Sequence, residues 1–280
     1  VYMAVKLDTN LSTIGVSLAA SGASLLWTWG NMYLDARREK KPLREFITVL
    51  LKVGGGVFSS TLRQIVRNEN DPNVDLSGLH LGSDEAEQLA QALEGNRALT
   101  ALDVSGNNIG DSGKSAIGDA LLSSSTSKLQ FLTCSEWSIT ADTSSLDLSR
   151  KVLNAADAKL LAGVIKFNRA LTTLDLSENN IGVVSYIKKD KLQGTSFKKG
   201  DTVQYNGQQC TVFMEEDDDG DLMVQNISGV VALAEALKVN RALKSVDLRY
   251  NSIPDEGCRQ LRAAVGNKSI TLQLEPQRYS

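Results

Sequence analysis

NRALTALDVSGNNIG runs from Asn96 to Gly110, NRALTTLDLSENNIG from Asn168 to Gly182, and NRALKSVDLRYNSI from Asn240 to Ile253. The three phrases start 72 residues apart. An internal repeat constrains the fold before local propensity does, because each unit buries its apolar side only against its neighbours. It also bears on function, since stacked repeats build broad binding surfaces more readily than catalytic pockets.

Within each copy the apolar residues and the Asn keep fixed spacing. They are Leu99, Leu102, Val104, Asn107 and Ile109; Leu171, Leu174, Leu176, Asn179 and Ile181; and Leu243, Val246, Leu248, Asn251 and Ile253. The alternating residues predict a short strand, and Asn marks where the chain leaves it. The segments 86–96, 158–168 and 230–240 carry apolar residues at helical spacing and end on an Asn that reads as a helix stop. The pattern L-x-x-L-x-L-x-x-N-x-I resembles the leucine-rich repeat, and the unit of about 28 residues resembles its ribonuclease-inhibitor-like subtype. The resemblance implies an α/β solenoid of parallel strands with outer helices. It also implies that the Asn side chains bond the backbones of neighbouring coils as a ladder.

The 72-residue interval is therefore composite. Val74 and Leu76 predict an earlier strand, Leu132 and Cys134 another, and Leu146 and Leu148 a third that follows too soon for a helix between them. Leu272 and Leu274 predict a last strand. About seven strands are expected between residues 74 and 274. The organisation expected is a tail and membrane helix at 1–36, a basic flank with capping helices at 37–72, repeats at 73–182, a β insertion at 183–227, and repeats with a C-terminal cap at 228–280.

In the insertion, Thr202–Tyr205, Gln209–Met214 and Asp221–Gln225 read as strands, with Asn206-Gly207 a hairpin turn. The stretch GDTVQYNGQQCTV resembles an SH3-like or Tudor-like barrel fragment. That resemblance raises an aromatic cage for methylated side chains. Only Phe197, Tyr205 and Phe213 are at hand, so a structural plug or a partner-binding knob is favoured, with Tyr205 and Phe213 as the contacts. The acidic run 215–221 fails as a calcium loop: with Glu215 first, Asn226 falls where a bidentate Glu is needed.

Between Asp8 and Asp35 no residue is charged. As a helix this stretch would reach about 39 Å, against a hydrocarbon core of about 30 Å. Trp27, Trp29 and Tyr33 sit at one end, and Arg37, Arg38, Lys40, Lys41 and Arg44 follow. The positive-inside rule then places the repeats on the cytosolic, stromal or matrix side. Gly15, Ala19 and Ala23 form a small-residue stripe suited to helix packing in a membrane. The competing reading is a soluble helix capping the solenoid. Residues 43–67 carry two amphipathic stretches, read as a solenoid cap or as an interfacial helix.

Charge and composition narrow the chemistry. The net charge of −3 gives no reason to expect nucleic acid. Outside the membrane flank the basic cluster seen is Lys188, Lys189, Lys191, Lys198 and Lys199, read as a solvated loop. Cys134, Cys210 and Cys258 are widely spaced, and His80 is the single histidine, so no catalytic residue, metal site or cofactor is expected. The strands carry one chemical stripe. Asp75, Asp103, Asp147, Asp175 and Asp247, with Arg249, fall where strand alternation points them to the concave face. They read either as a receptor for a partner or as solubilising residues of the repeat.

The function expected is a non-enzymatic, membrane-tethered interaction scaffold. The setting expected is an accessory subunit of an organellar membrane complex of photosystem (thylakoid) or respiratory type, Val1 in first place suggesting a fragment or a processed chain. Partners are then subunits of that complex and lipid. Pigment contact arises only in a photosynthetic setting, through Asn10, Asn31 or a backbone carbonyl. The alternative is a soluble ribonuclease-inhibitor-like regulator that binds a protein ligand on the concave face.

Overall fold

The computed structural model describes residues 72–182, 184–205, 208–214 and 220–277. The membrane helix read at 9–34, with Gly15, Ala19, Ala23, Trp27, Trp29 and Tyr33, lies outside them, as do the capping stretch at 43–67 and the acidic run at 215–219. Among the described residues no helix is long and apolar enough to cross a membrane.

Three-residue strands alternate with helices: β1 (Asn73–Asp75), α1 (Ser83–Leu93), β2 (Ala101–Asp103), α2 (Gly110–Ser123), β3 (Phe131–Thr133), β4 (Ser138–Ile139), β5 (Ser145–Asp147), α3 (Ala155–Ile165) and β6 (Thr173–Asp175). Then come β7 (Val184–Lys188), β8 (Thr202–Tyr205), β9 (Gln208–Met214), β10 (Asp221–Gln225), α4 (Ser228–Val239), β11 (Ser245–Asp247), α5 (Asp255–Val265) and β12 (Thr271–Gln273). The middle residue of a strand faces the helices, so Val74, Leu102, Leu132, Leu174 and Val246 are buried. Those apolar residues, with Leu89, Ile117, Leu161, Leu233 and Leu261 from the helices, form the core.

The seven repeat strands do not form one sheet. The first sheet has the order β1-β2-β3-β4 and the second β12-β11-β6-β5. The cause is local. Elsewhere the N–H just past a strand donates forward to the next coil: Leu76 to Asp103 O, Val104 to Thr133 O, Leu148 to Asp175 O, Leu176 to Asp247 O and Leu248 to Gln273 O. At Cys134 the N–H turns back to Trp137 O, closing an antiparallel hairpin of β3 with β4. Trp137 stands where the coils of β2, β6 and β11 have Asn. Its indole cannot bond two backbones at once, and its Nε1 is buried without a partner. The early strand after Cys134 is thus not a stacked coil but the start of a second stack.

The helices stay continuous across this break, packing in chain order from α1 to α5. Glycine permits the closest approach: a Cβ on Gly118 would lie 2.5 Å from the backbone of Lys159 on α3. Charged groups reinforce the same seam. Lys114 Nζ lies 2.7 Å from Asp157 of α3 and 2.8 Å from Glu136 of the hairpin, and Lys159 lies 2.9 Å from Asp119. Burial opposes the charge on Lys114, but hydrogen bonds and attraction from the two carboxylates outweigh it and raise its pKa above the lysine range. Burial would raise Glu136, yet Lys114 holds it below the usual carboxylate value.

The Asn ladder has the geometry its chemistry requires. Asn179 is fully buried. Its Nδ2 donates to Leu148 O (2.8 Å) and Leu176 O (2.9 Å), while Oδ1 accepts from the N–H groups of Lys151 and Leu153. Asn107 does the same for Leu76 O, Val104 O, and the N–H groups of Leu79 and Leu81. Asn251 repeats it toward Leu176 O. The last rung is not an Asn: Gln277 accepts from the N–H groups of Asn251 and Ile253 and donates to Leu248 O and Leu274 O. A second row, Asn96, Asn168 and Asn240, ties off the turns that enter the strands, each Oδ1 accepting from two following N–H groups.

Between β6 and α4 stands a separate antiparallel sheet of order β7-β10-β9-β8. It has one strand more than the sequence predicted, because β7 pairs with β10. Its own core is Leu192, Val203, Cys210, Val212, Leu222 and Val224. Gln225 attaches it to the second stack by donating to Ser252 O at 2.9 Å.

Candidate functional site

The open face of the strands lies opposite the helices and carries the residues flanking each buried one. Parallel register aligns them in rows. Asp75 pairs with Asp103 and then Thr133; Asp147 pairs with Asp175, Asp247 and Gln273. The five-membered acidic ladder expected from sequence is therefore two shorter rows on two sheets, separated by the hairpin.

Each Asp has a structural duty first. Oδ1 accepts from the N–H two residues on: Ser77 for Asp75, Ser105 for Asp103, Ser149 for Asp147, Ser177 for Asp175, and Arg249 for Asp247, at 2.8–3.0 Å. This is an Asx-type turn that ends the strand. The next residue takes a left-handed conformation; it is glycine at Gly78 and Gly106, but Arg150, Glu178 and Tyr250 adopt it at φ 58–59°. At Asp147 the Ser149 hydrogen bonds hold the carboxyl below its usual pKa. Asp247 differs from the rest. It is buried, and Arg249 bonds both its oxygens, with Nη2 at 2.6 Å. Asp247 and Arg249 are thus paired with one another, the carboxylate buried and the guanidinium partly exposed. The Asp247 carboxylate raises the pKa of the guanidinium, with smaller contributions from Tyr250 and Asp175.

Beside the first acidic row lies a groove of about 310 Å³, whose lining includes Asp75, Asp103, Phe131, Thr133, Ile139 and Thr140. The hairpin supplies one side of it with half-buried Phe131 and Thr133 and exposed Thr140, while Ile139 is buried in register with Leu132. Carboxylates beside a half-buried ring form a combination that a protein surface with exposed cations and an apolar contact can fill. Sequence reading missed Phe131, which stands in register with the small Ala101 and outside the quoted phrases.

The contacts expected in the insertion are engaged at home. Tyr205 and Phe197 pack on the insertion's core. Lys189 lies over the Phe197 ring at 5.6 Å and Lys199 over Phe213 at 5.7 Å. The chain's own lysines thus occupy the faces a methylated ligand would use, and Lys188 pairs with Asp221 at 3.2 Å. The three cysteines are buried thiols; burial pushes Cys134 up to about 12 and raises Cys210 and Cys258 as well. Such thiols stay protonated and weakly nucleophilic.

Comparison with known proteins agrees with this geometry. The family model described as Leucine Rich repeat matches residues 95–118, 167–184 and 239–261. The ribonuclease inhibitor of Sus scrofa is 27% identical over 207 residues, covering 71% of this chain and 38% of that protein. The chain thus spans about two fifths of the length of the curated relative it matches. A solved structure, leiomodin-1 actin-binding site 2, is 13% identical, with a TM-score of 0.31 over 76% of this chain and 89% of that one. The stretches matched by the family model hold Asn107, Asn179 and Asn251 and the turns at Asp103, Asp175 and Asp247. Those three stretches carry the leucine-rich-repeat pattern.

Proposed function

We propose that this chain is a non-enzymatic binding protein that receives a protein ligand on the open face of its strands, as a ribonuclease-inhibitor-like regulator would. The observation that carries the reading is the first groove, where Asp75 and Asp103 lie in register beside the half-buried Phe131. Carboxylates with one oxygen tied to the backbone are preorganised, so little side-chain entropy is lost when a cation arrives. The ligand chemistry this favours is a basic protein surface, steered in by the acidic rows.

A basic ribonuclease is the first ligand to titrate, given the similarity to a ribonuclease inhibitor. Calorimetry is expected to show binding that weakens with salt. The variant Asp75→Asn/Asp103→Asn/Asp147→Asn/Asp175→Asn keeps the turn acceptor and removes four charges. It is expected to bind at least about tenfold more weakly. Equal binding by this variant, with its melting unchanged, would reject the acidic face as the receptor.

Tethering to a membrane through residues 9–34 is a separable proposal that rests on their uncharged sequence alone. An organellar membrane complex finds no support in the comparisons. Recovery of the full chain in the soluble fraction after alkaline carbonate extraction would end the tether reading.

A further inference from the structure

The turns that leave α3 and α4 enclose a recess of about 870 Å³ whose lining includes Lys166, Phe167, Arg169, Lys238, Arg241 and Lys268. Five of these residues are cations and none is an acid. The sequence showed no such cluster, since its members span more than a hundred positions.

Two of the lysines work for the fold. Lys166 Nζ donates to Leu122 O and to Ser124 O (2.7 Å), where α2 ends. Lys268 Nζ donates to Leu237 O, Lys238 O and Asn240 O, where α4 ends. Each supplies donors for carbonyls that a helix end leaves unpaired. These acceptors are neutral, so the positive charges are hydrogen-bonded but not cancelled. Burial lowers the pKa of both; Glu235 offsets part of this at Lys166, and Arg241 lowers Lys268 further. Glu235, the carboxylate nearby, pairs with Lys238. Arg169 and Arg241 are exposed, with no ion pair shown among the described residues. They precede the paired strand residues Thr173 and Ser245, so they project from adjacent coils, roughly one strand spacing of ~5 Å apart.

We propose that this recess binds an acidic peptide segment of a protein partner, independently of the open strand face. Two guanidinium forks on adjacent coils suit successive carboxylates along one extended segment. Lys166 and Lys268 add positive charge behind them, and exposed Val239 gives a small apolar contact. A nucleic acid fits less well. Phe167 is the one ring in the lining, and Lys166 lies over one of its faces at 5.0 Å, so the recess lacks the row of open rings on which successive bases stack. A bilayer is flat, whereas the charges of Lys166 and Lys268 lie within a recess.

The test uses the full chain and a fluorescein-labelled hexaglutamate peptide, read by anisotropy. Binding is expected, with weakening of about tenfold on raising salt from physiological to several times that level. Hexaglutamine is expected not to bind. Arg169→Glu/Arg241→Glu is expected to lose at least about tenfold in affinity with unchanged circular dichroism and melting, because both side chains are exposed. Asp103→Asn/Asp175→Asn is expected to bind hexaglutamate as the parent does, which separates this recess from the strand face. Unchanged binding by the arginine variant overturns the proposal. So does tighter binding of a short single-stranded oligonucleotide, or of vesicles rich in anionic lipid, than of hexaglutamate.

Discussion

At the residue scale the most telling positions are Asn179 and the repeated Asp. Asn179 satisfies two carbonyls and two N–H groups in two coils at once. Asn179→Leu strands those buried groups. Each unpaired buried group costs roughly 1–3 kcal/mol, so a loss of at least about 3 kcal/mol is expected in urea unfolding. Asp175 separates two duties. Asp175→Asn keeps an acceptor for the Ser177 N–H and is expected to cost less than about 0.5 kcal/mol. Asp175→Ala loses the turn bond and is expected to cost about 1 kcal/mol. Equal melting temperatures for the two variants would show that the carboxylate is there for binding alone. The Asn rungs were legible from one sequence, because a single residue type recurs at a fixed place. Gln277 was not, since it does the same work with a longer side chain and outside the repeated phrase.

At the element scale the seam between α2 and α3 holds together what the strands leave unjoined. A side chain at Gly118 meets the α3 backbone rather than a flexible group. Gly118→Val is expected to destabilise by about 2–3 kcal/mol, from overpacking, measured as a lowered urea midpoint. The Lys114 cluster gives the seam a pH dependence with a definite sign. Glu136 is depressed in the folded state, so its contribution is present above its unfolded pKa of about 4.3 and is lost as pH falls through the lower folded value. Lys114 is raised, so its contribution is present below its unfolded pKa of about 10.4 and is lost as pH rises through the higher folded value. Lys114→Met leaves Asp157, nine-tenths buried or more, without its cation. The variant is expected to be less stable at neutral pH by roughly 3 kcal/mol. The gap to the parent is expected to narrow as pH falls below about 4; a gap constant with pH would show that the lysine acts through its aliphatic stem.

At the scale of the whole molecule the described residues form two strand stacks under one helix layer, with an antiparallel sheet inserted between β6 and α4. That arrangement gives two surfaces of opposite sign: acidic rows on the open strand face and a basic recess at the ends of α3 and α4. The two are expected to titrate independently. A basic ligand saturating the strand face should leave hexaglutamate affinity unchanged within about twofold, since sites with no shared element couple weakly. Competition between the two ligands would place them on one surface.

Sequence alone determined the repeat, its strand and helix periods, the Asn rungs and the place of the inserted sheet. All of these depend on residues close in the chain or on a pattern repeated along it. Tertiary structure decided the rest. Whether Cys134 bonds forward to the next coil or back to Trp137 turns on which partner is in reach, and that choice splits the sheet. Whether an Asp is paired turns on a neighbour such as Arg249. The basic recess was half legible, because Arg169 and Arg241 follow the repeated Asn in the quoted phrase. Lys166, Lys238 and Lys268 have no shared motif. Only the stacking of successive coils, at one strand spacing per unit, brings their charges into one place.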